Sequence, residues 1–249
     1  MGMKYGWIPD VPDQRDKYYC ITDSERVLPT KVDLSSYGPA IEDQGALGSC
    51  TAQALTSAME FLLNKDKKNF YHLSRLFLYY NERVIEGSVN YDAGAMIRDG
   101  IKTMAKDGVC TEAIWPYVIG KFKTKPTAYA YSDAKNHQIL TYARLTTLLD
   151  FRDCLAKGFP VVFGFSVYES FESPQVEKTG VVPIPKRRER LLGGHAVMAV
   201  GYNDSTQRLL VRNSWGPQWG NKGYFTLPYV FIEDQNLSDD FWTIRASEG

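Results

Sequence analysis

The chain has 249 residues and a mass of 28.2 kDa, enough for one large domain or two small ones sharing a cleft. Hydrophobic residues make up 44% and charged residues 23%, with 29 basic against 29 acidic side chains. This balance excludes wholesale disorder and leaves no net field to gather nucleic acid or an anionic membrane, so neither is expected as a partner. No apolar run approaches the roughly 18 residues of a membrane span, and residues 1–16 lack the apolar core of a secretory signal. Localisation stays open between the cytoplasm and secretion with a leader removed.

Residues 1–27 read as an irregular polar arm, because Pro9, Pro12 and the run Asp13-Gln14-Arg15-Asp16 oppose a long helix. Val32-Asp33-Leu34 begins like a strand, and a glycine-bearing loop follows over 38–49. From Ser49 the period changes: Leu55, Ala58, Met59 and Leu62 recur at helical spacing, with Ala52, Ala54 and Leu63 beside them. The pattern predicts a helix buried around most of its circumference. A second helix is predicted from the N-cap Ser74 through Leu76, Phe77, Tyr80 and Val84, and a third over 95–106, ending before Gly108. The second half changes character. Short apolar runs at 161–163, 196–200, 209–212 and 223–227, set between turn residues, predict strands. Helices first and strands later imply an α+β protein with segregated halves.

Four cysteines, at positions 20, 50, 110 and 154, form no CxxC pair, which removes the usual zinc and thioredoxin readings. At most two disulfides are possible, and their pairing is not readable. Cys50 stands at the start of the best helix, where the positive end of the helix dipole favours a thiolate. His195 follows a glycine turn at the head of an apolar strand, and Asn213 follows another such strand beside Trp215. An asparagine amide can accept from one imidazole nitrogen, and an indole can shield that bond from water. Taken singly, each residue is read equally well as packing: a buried small hydrophobe, a satisfied histidine, a turn asparagine.

Together, and in this order, they carry more. Gln-Gly-x-x-Gly-Ser-Cys at 44–50, His-Ala-Val-x-Ala-Val-Gly-Tyr at 195–202 and Asn-Ser-Trp-Gly-x-x-Trp-Gly-x-x-Gly-Tyr at 213–224 resemble the papain-like cysteine peptidases. The histidine and asparagine follow the cysteine by about 145 and 163 residues, near the roughly 130–150 expected of that group. The resemblance covers about residues 28–230, and the opening Gly6-Trp7-Ile8-Pro9-Asp10 looks more like bacterial or other microbial branches than lysosomal cathepsins.

The resemblance implies a two-lobed α+β fold. An arm at 1–27 would be a short pro-segment crossing the cleft, or a tail packed on the back. A mainly helical lobe would span 28–130, with 28–35 free to cross to the other side. A β-barrel-like lobe would span 131–249, and the active-site cleft would lie between the two. It implies peptide hydrolysis by a monomer acting on a peptide or protein substrate, without metal or cofactor. Cys50 would be the nucleophile and His195 its proton partner, resting as thiolate and imidazolium. Asn213 would orient the imidazole, and Gln44 would join the Cys50 backbone N–H in binding the oxyanion.

Substrate contacts align through Glu112-Ala113-Ile114-Trp115-Pro116-Tyr117, which resembles a family segment. Counting back puts the backbone of Ala93-Gly94 where it would pair with an extended substrate. Met96, Gly164 and Ala196 would line a wide apolar pocket for a bulky hydrophobic or aromatic P2 residue (the second residue before the scissile bond), and Trp215 would border the cleft. The basic run at 186–190 would lie on the side after the scissile bond, either selecting acidic residues or standing as a solvated loop.

Several positions depart from the family pattern. Leu47 replaces a bridging cysteine, with Tyr91 near the place of its partner. Thr51 replaces an aromatic, and Gly194 replaces the Asp or Asn before the histidine. Acyl transfer to an amine and a non-catalytic binding role are the two competing readings.

Overall fold

The computed structural model describes residues 4–22 and 26–247. Cys50–Lys65 (α1) is the central helix, and every residue from Cys50 through Leu63 is buried, as its apolar circumference predicts. Arg75–Glu86 (α2) starts where Ser74 accepts a hydrogen bond from the Phe77 N–H, and stops at Gly87, whose φ of 69° provides the left-handed cap. Ile97–Lys106 (α3) completes the trio, two residues shorter than expected because Met96 is still extended.

The other half is one antiparallel sheet. Its path runs Ile139–Arg144 (β2), Ser238–Ser247 (β7), Val161–Tyr168 (β3), Leu191–Asn203 (β4), Arg208–Arg212 (β5) and Tyr224–Pro228 (β6). Lys31–Asp33 (β1) pairs with the far end of β4, Lys31 opposite Asn203. Among the described residues this path does not close on itself, so the second lobe is an open sheet rather than a barrel. The helices Leu148–Ala156 (α5) and Pro174–Thr179 (α6) flank it; Ala128–Ala134 (α4) buries Ala130 and Ala134 in the helical half, and Val230–Glu233 (α7) buries Phe231 and Ile232 against the sheet.

Two apolar cores result. One packs α1, α2 and α3 against β4 residues Ala196, Met198 and Val200 and the β7 residue Trp242. The other joins the opposite face of β3, β4, β5 and β6 to Phe171, Trp215 and Trp219. Alternate residues of β4 therefore feed different cores, as a period of two requires. Its fully buried His195 lies where the two meet. All four cysteines are free thiols, and Leu47 is simply a core residue. No helix among the described residues is long and apolar enough to cross a membrane.

Candidate active site

Cys50 is the first residue of α1, and its buried sulfur accepts a hydrogen bond from the Ala196 N–H of β4 at 3.4 Å. The helix thus delivers the thiol to the strand that carries His195. The Nε2–H of His195 donates to Asn213 Oδ1 at 2.8 Å, and the same oxygen accepts the Ser214 N–H at 2.9 Å. An asparagine oxygen already accepting a backbone N–H fixes the imidazole tautomer, with its proton on Nε2. Trp215 stacks on the imidazole, with centroids 4.9 Å apart and planes 27° from parallel. The Gln44 side-chain N–H2 donates to the Leu47 carbonyl at 3.0 Å, and its oxygen accepts from Ser214 Oγ at 2.7 Å. The Tyr117 hydroxyl donates to the Gln44 carbonyl at 2.9 Å, so the segment 112–117 braces this loop.

The N-terminal arm runs through the same cleft. Gln44 also donates to the Lys4 carbonyl at 3.1 Å. Tyr5 lies against His195 and Trp215, and its hydroxyl donates to Glu172. The Ala95 N–H donates to the Gly6 carbonyl at 2.7 Å, the Ile8 N–H to the Ala95 carbonyl at 3.0 Å, and the Trp7 N–H to the Gly194 carbonyl at 2.9 Å. The Trp7 indole lies flat on Gly164, where a Cβ would sit 1.9 Å from the ring, and its N–H donates to Asp240 at 3.0 Å. Farther along, the Asp10 N–H donates to Asp240 at 2.7 Å, while the Asp10 carboxylate accepts from the Arg98 N–H and the Trp242 indole, each at 3.0 Å. Asp16 forms a two-pronged pair with Arg98.

The profile described as papain family cysteine protease matches residues 28–235. The chain belongs to the papain family of cysteine proteases. The protease is 45% identical to xylellain, a cysteine protease from Xylella fastidiosa, with a TM-score of 0.91 over 97% of this chain and 96% of that one. That bacterial likeness agrees with the microbial branch read from the opening residues. It is 42% identical to the "Uncharacterized peptidase C1-like protein L477" of Acanthamoeba polyphaga mimivirus, over 97% of this chain and 86% of the viral one. Against proCathepsin B S9 from Trypanosoma congolense the TM-score is 0.78 at 18% identity, over 98% of this chain and 86% of that one, which speaks for the fold alone.

With the arm seated, Cys50 and His195 are both shut away from water. Burial pushes the Cys50 thiol up to about 12, against the pull of hydrogen bonds from the Ala196 and Gly6 N–H groups. Burial lowers His195 to about 4, against the opposing bond to Asn213. His195 Nδ1 has no hydrogen-bond partner among the described residues. Removal from water under the arm penalises the charged form of each group. Beneath the helix terminus, Thr51 donates to the fully buried Glu82 at 2.8 Å. Burial raises that carboxyl well above its usual range.

The residues aligned for substrate binding are distributed unevenly. Gly94 has a φ of +79°, and a Cβ there would come within 2.3 Å of the Gly6 carbonyl, so the close approach is real. The backbone that pairs with the arm belongs to Ala95, one residue beyond the pair Ala93-Gly94, and Ala93 is exposed. Gly164 floors the indole pocket; Ala196 is buried beside Cys50; Met96 is half-buried, with its N–H on Glu86. Trp215 covers the imidazole and touches Tyr5. In the basic run, Arg190 is paired with Glu169 at 2.6 Å.

Gly194 gains a reason that the sequence did not offer: a side chain there would collide with the Trp7 ring and carbonyl, both 2.7 Å from its Cβ position. Ser214, Ala95 and Asp240 were not recognised from sequence. Ser214 lies inside a matched motif, but nothing around Asp240 signals a site.

Proposed function

We propose that the protease is an endopeptidase working through a thioester acyl-enzyme. Cys50 is the nucleophile, His195 the proton carrier, Asn213 its orienting partner, and Gln44 with the Cys50 N–H the oxyanion donors. The supporting observation is the bond from Gln44 to the Lys4 carbonyl, since a peptide carbonyl already lies on the proposed oxyanion donor beside the buried sulfur. In the reaction, His195 Nδ1 takes the thiol proton, and the sulfur attacks the scissile carbonyl. The developing oxyanion is held by the two donors, and His195 returns the proton to the leaving amine. Water, deprotonated by the same nitrogen, then adds to the thioester, and the departing sulfur recovers its proton. The Asn213 bond and the Trp215 stack keep Nε2 protonated throughout, so Nδ1 alone trades protons.

The pocket on Gly164, with Ala196 and Met96, takes a bulky hydrophobic P2 side chain, and the seated Trp7 supports this reading. Residues 1–27 act as a short inhibitory pro-segment ahead of the helical lobe at 28–130 and the β-rich lobe at 131–249. Direction supports this. A substrate with P2 in the pocket and its leaving group near His195 runs from Gly164 toward Trp215. The arm enters with Tyr5 at Trp215 and reaches the pocket with Trp7, and its bridge to Ala95 is parallel. A reversed chain presents its amide with the leaving nitrogen on the wrong side of His195, so it fills the cleft without being cut.

The test is labelling by a thiol-directed peptidyl warhead, read by mass spectrometry. Modification should fall on Cys50 and vanish, with hydrolysis, in Cys50→Ala; persistent labelling in that variant would refute the nucleophile.

A further inference from the structure

We propose that Asp240 is a specificity-determining residue: it reads an indole N–H at P2 and makes tryptophan the preferred side chain there. This rests on the peptidase reading above and narrows its substrate class.

The pocket is cut for a flat bicyclic ring. Built Cβ atoms on Gly164 and Gly194, on the neighbouring strands β3 and β4, would fall 1.9 and 2.7 Å from Trp7 ring atoms. Any side chain at either place would close the slot. At one edge of the ring stands Asp240, whose side chain is fully buried. Its backbone φ of 57° is a left-handed value that aspartate and asparagine tolerate better than most residues. Such a conformation is kept where the surroundings demand it.

The two carboxylate oxygens have different neighbours. Oδ1 accepts from Arg144 Nη2 at 2.9 Å, a bond made wholly between β2 and β7 that does not involve the arm. Oδ2 accepts only from the arm: the Trp7 indole at 3.0 Å and the Asp10 N–H at 2.7 Å. When a substrate replaces the arm, Oδ1 keeps its guanidinium and Oδ2 becomes a buried acceptor facing the pocket. A phenylalanine or leucine at P2 covers that oxygen and satisfies nothing, which is the costly case for a polar group. An indole fills the slot and supplies the donor. A cationic side chain would meet a carboxylate whose other oxygen is already bonded to Arg144, a guanidinium shared with Asp239, and its narrow chain would not fill the flat slot as an indole does. Sites built to bond a donor discriminate far more strongly against analogues lacking it than sites built on shape alone.

The discriminating pair is tryptophan and 3-benzothienylalanine, which has sulfur in place of the indole N–H and nearly the same outline. Peptides differing only at P2 (Trp, benzothienylalanine, Phe or Arg) are assayed on the full chain carrying Trp7→Ala, which empties the pocket. The same peptides are titrated for binding to the full chain with Trp7→Ala and Cys50→Ala, which does not turn over. The expected result is at least about a tenfold preference for Trp over benzothienylalanine in kcat/KM and in Kd. The ratio should collapse toward one in Asp240→Ala and survive in part in Asp240→Asn, whose amide oxygen still accepts. Because Asn also suits a left-handed backbone, it serves if the alanine variant fails to fold. A ratio near one in the parent, or Arg favoured over Trp, overturns the assignment. Binding with the tenfold ratio but no hydrolysis of any peptide would leave Asp240 as the reader of the indole and refute the peptidase reading instead.

Discussion

Replacing Trp7 by alanine should open the cleft of the uncut chain. The magnitude follows from what the indole touches. It is half-buried, lies on Gly164 and Gly194, and donates to the Asp240 carboxylate at 3.0 Å. Full burial of a tryptophan is worth about 3–5 kcal/mol on truncation, and the lower end suits a half-buried ring that also loses a hydrogen bond to a buried carboxyl. A loss of about 3 kcal/mol shifts the seating equilibrium on the order of 100-fold. The arm keeps its other holds, namely Tyr5 on Glu172, Asp10 on Trp242 and Arg98, and Asp16 on Arg98, so it should loosen rather than detach outright. The assay is the rate of Cys50 labelling by a peptidyl warhead on full-length protein, with thermal unfolding followed in parallel. Labelling should accelerate by up to that factor, while the main transition moves little. An unchanged labelling rate in a folded variant would mean that the arm does not limit access, and the inhibitory reading would fail.

Three further outcomes are expected. Gly6→Ala puts a methyl group 1.8 Å from the Gly48 carbonyl, so it should displace the arm and raise the peptidase rate of the uncut chain; a lower rate in a folded variant would contradict this. Gln44→Ala removes the proposed oxyanion donor and should lower kcat by about 10²–10³, roughly 2.7–4 kcal/mol, with a smaller change in KM; steady-state kinetics on an arm-displaced background decides it.

Seating of the arm should weaken as pH rises. Burial and the nearby Asp10 and Asp239 carboxylates raise Asp240 from an ordinary 3.8 to about 7, with Arg144 opposing. Asp10 is raised by burial, with Arg98 and Arg144 opposing, and Asp16 and Glu86 face the same cluster. Raised values in the seated form mean that it binds more protons than the released form. The contribution is therefore present at low pH and lost as pH climbs through about 7. Hydrogen exchange of the Trp7, Ile8 and Asp10 amides, corrected for intrinsic rates, should show protection falling over that window and a flatter profile in Asp240→Asn.

Much of this was legible in the residues, for identifiable reasons. Helix α1 announces itself by an apolar period, α2 by its serine cap and terminal glycine, and the meeting of Cys50, His195 and Asn213 by motifs in which side-chain chemistry and chain position coincide. Helix α5 carried an overlooked signal, because Thr147 and Asp150 form a capping box. Strand β7 did not read as a strand, since it opens Ser-Asp-Asp and its aspartates serve the cleft rather than a repeating face. The course of the arm was not legible. No period in Tyr5-Gly6-Trp7 says which surface it will meet, and the glycines at 164 and 194 acquire meaning only with an indole lying on them. The burial of Cys50 and His195 was not legible for the same reason: the motif gives the partners, whereas the distant segment that shuts them from water is seen only in the fold.

The absence of any disulfide has a practical corollary. Leu47 fills with hydrocarbon the position where relatives place a sulfur bridge, and Cys20, Cys110 and Cys154 are unpaired. A thiol nucleophile has to be kept from oxidising, and in a cross-linked scaffold the reductant that protects it also threatens the framework. Here the two demands are uncoupled: strongly reducing solution can preserve the nucleophile with no covalent staple to sever.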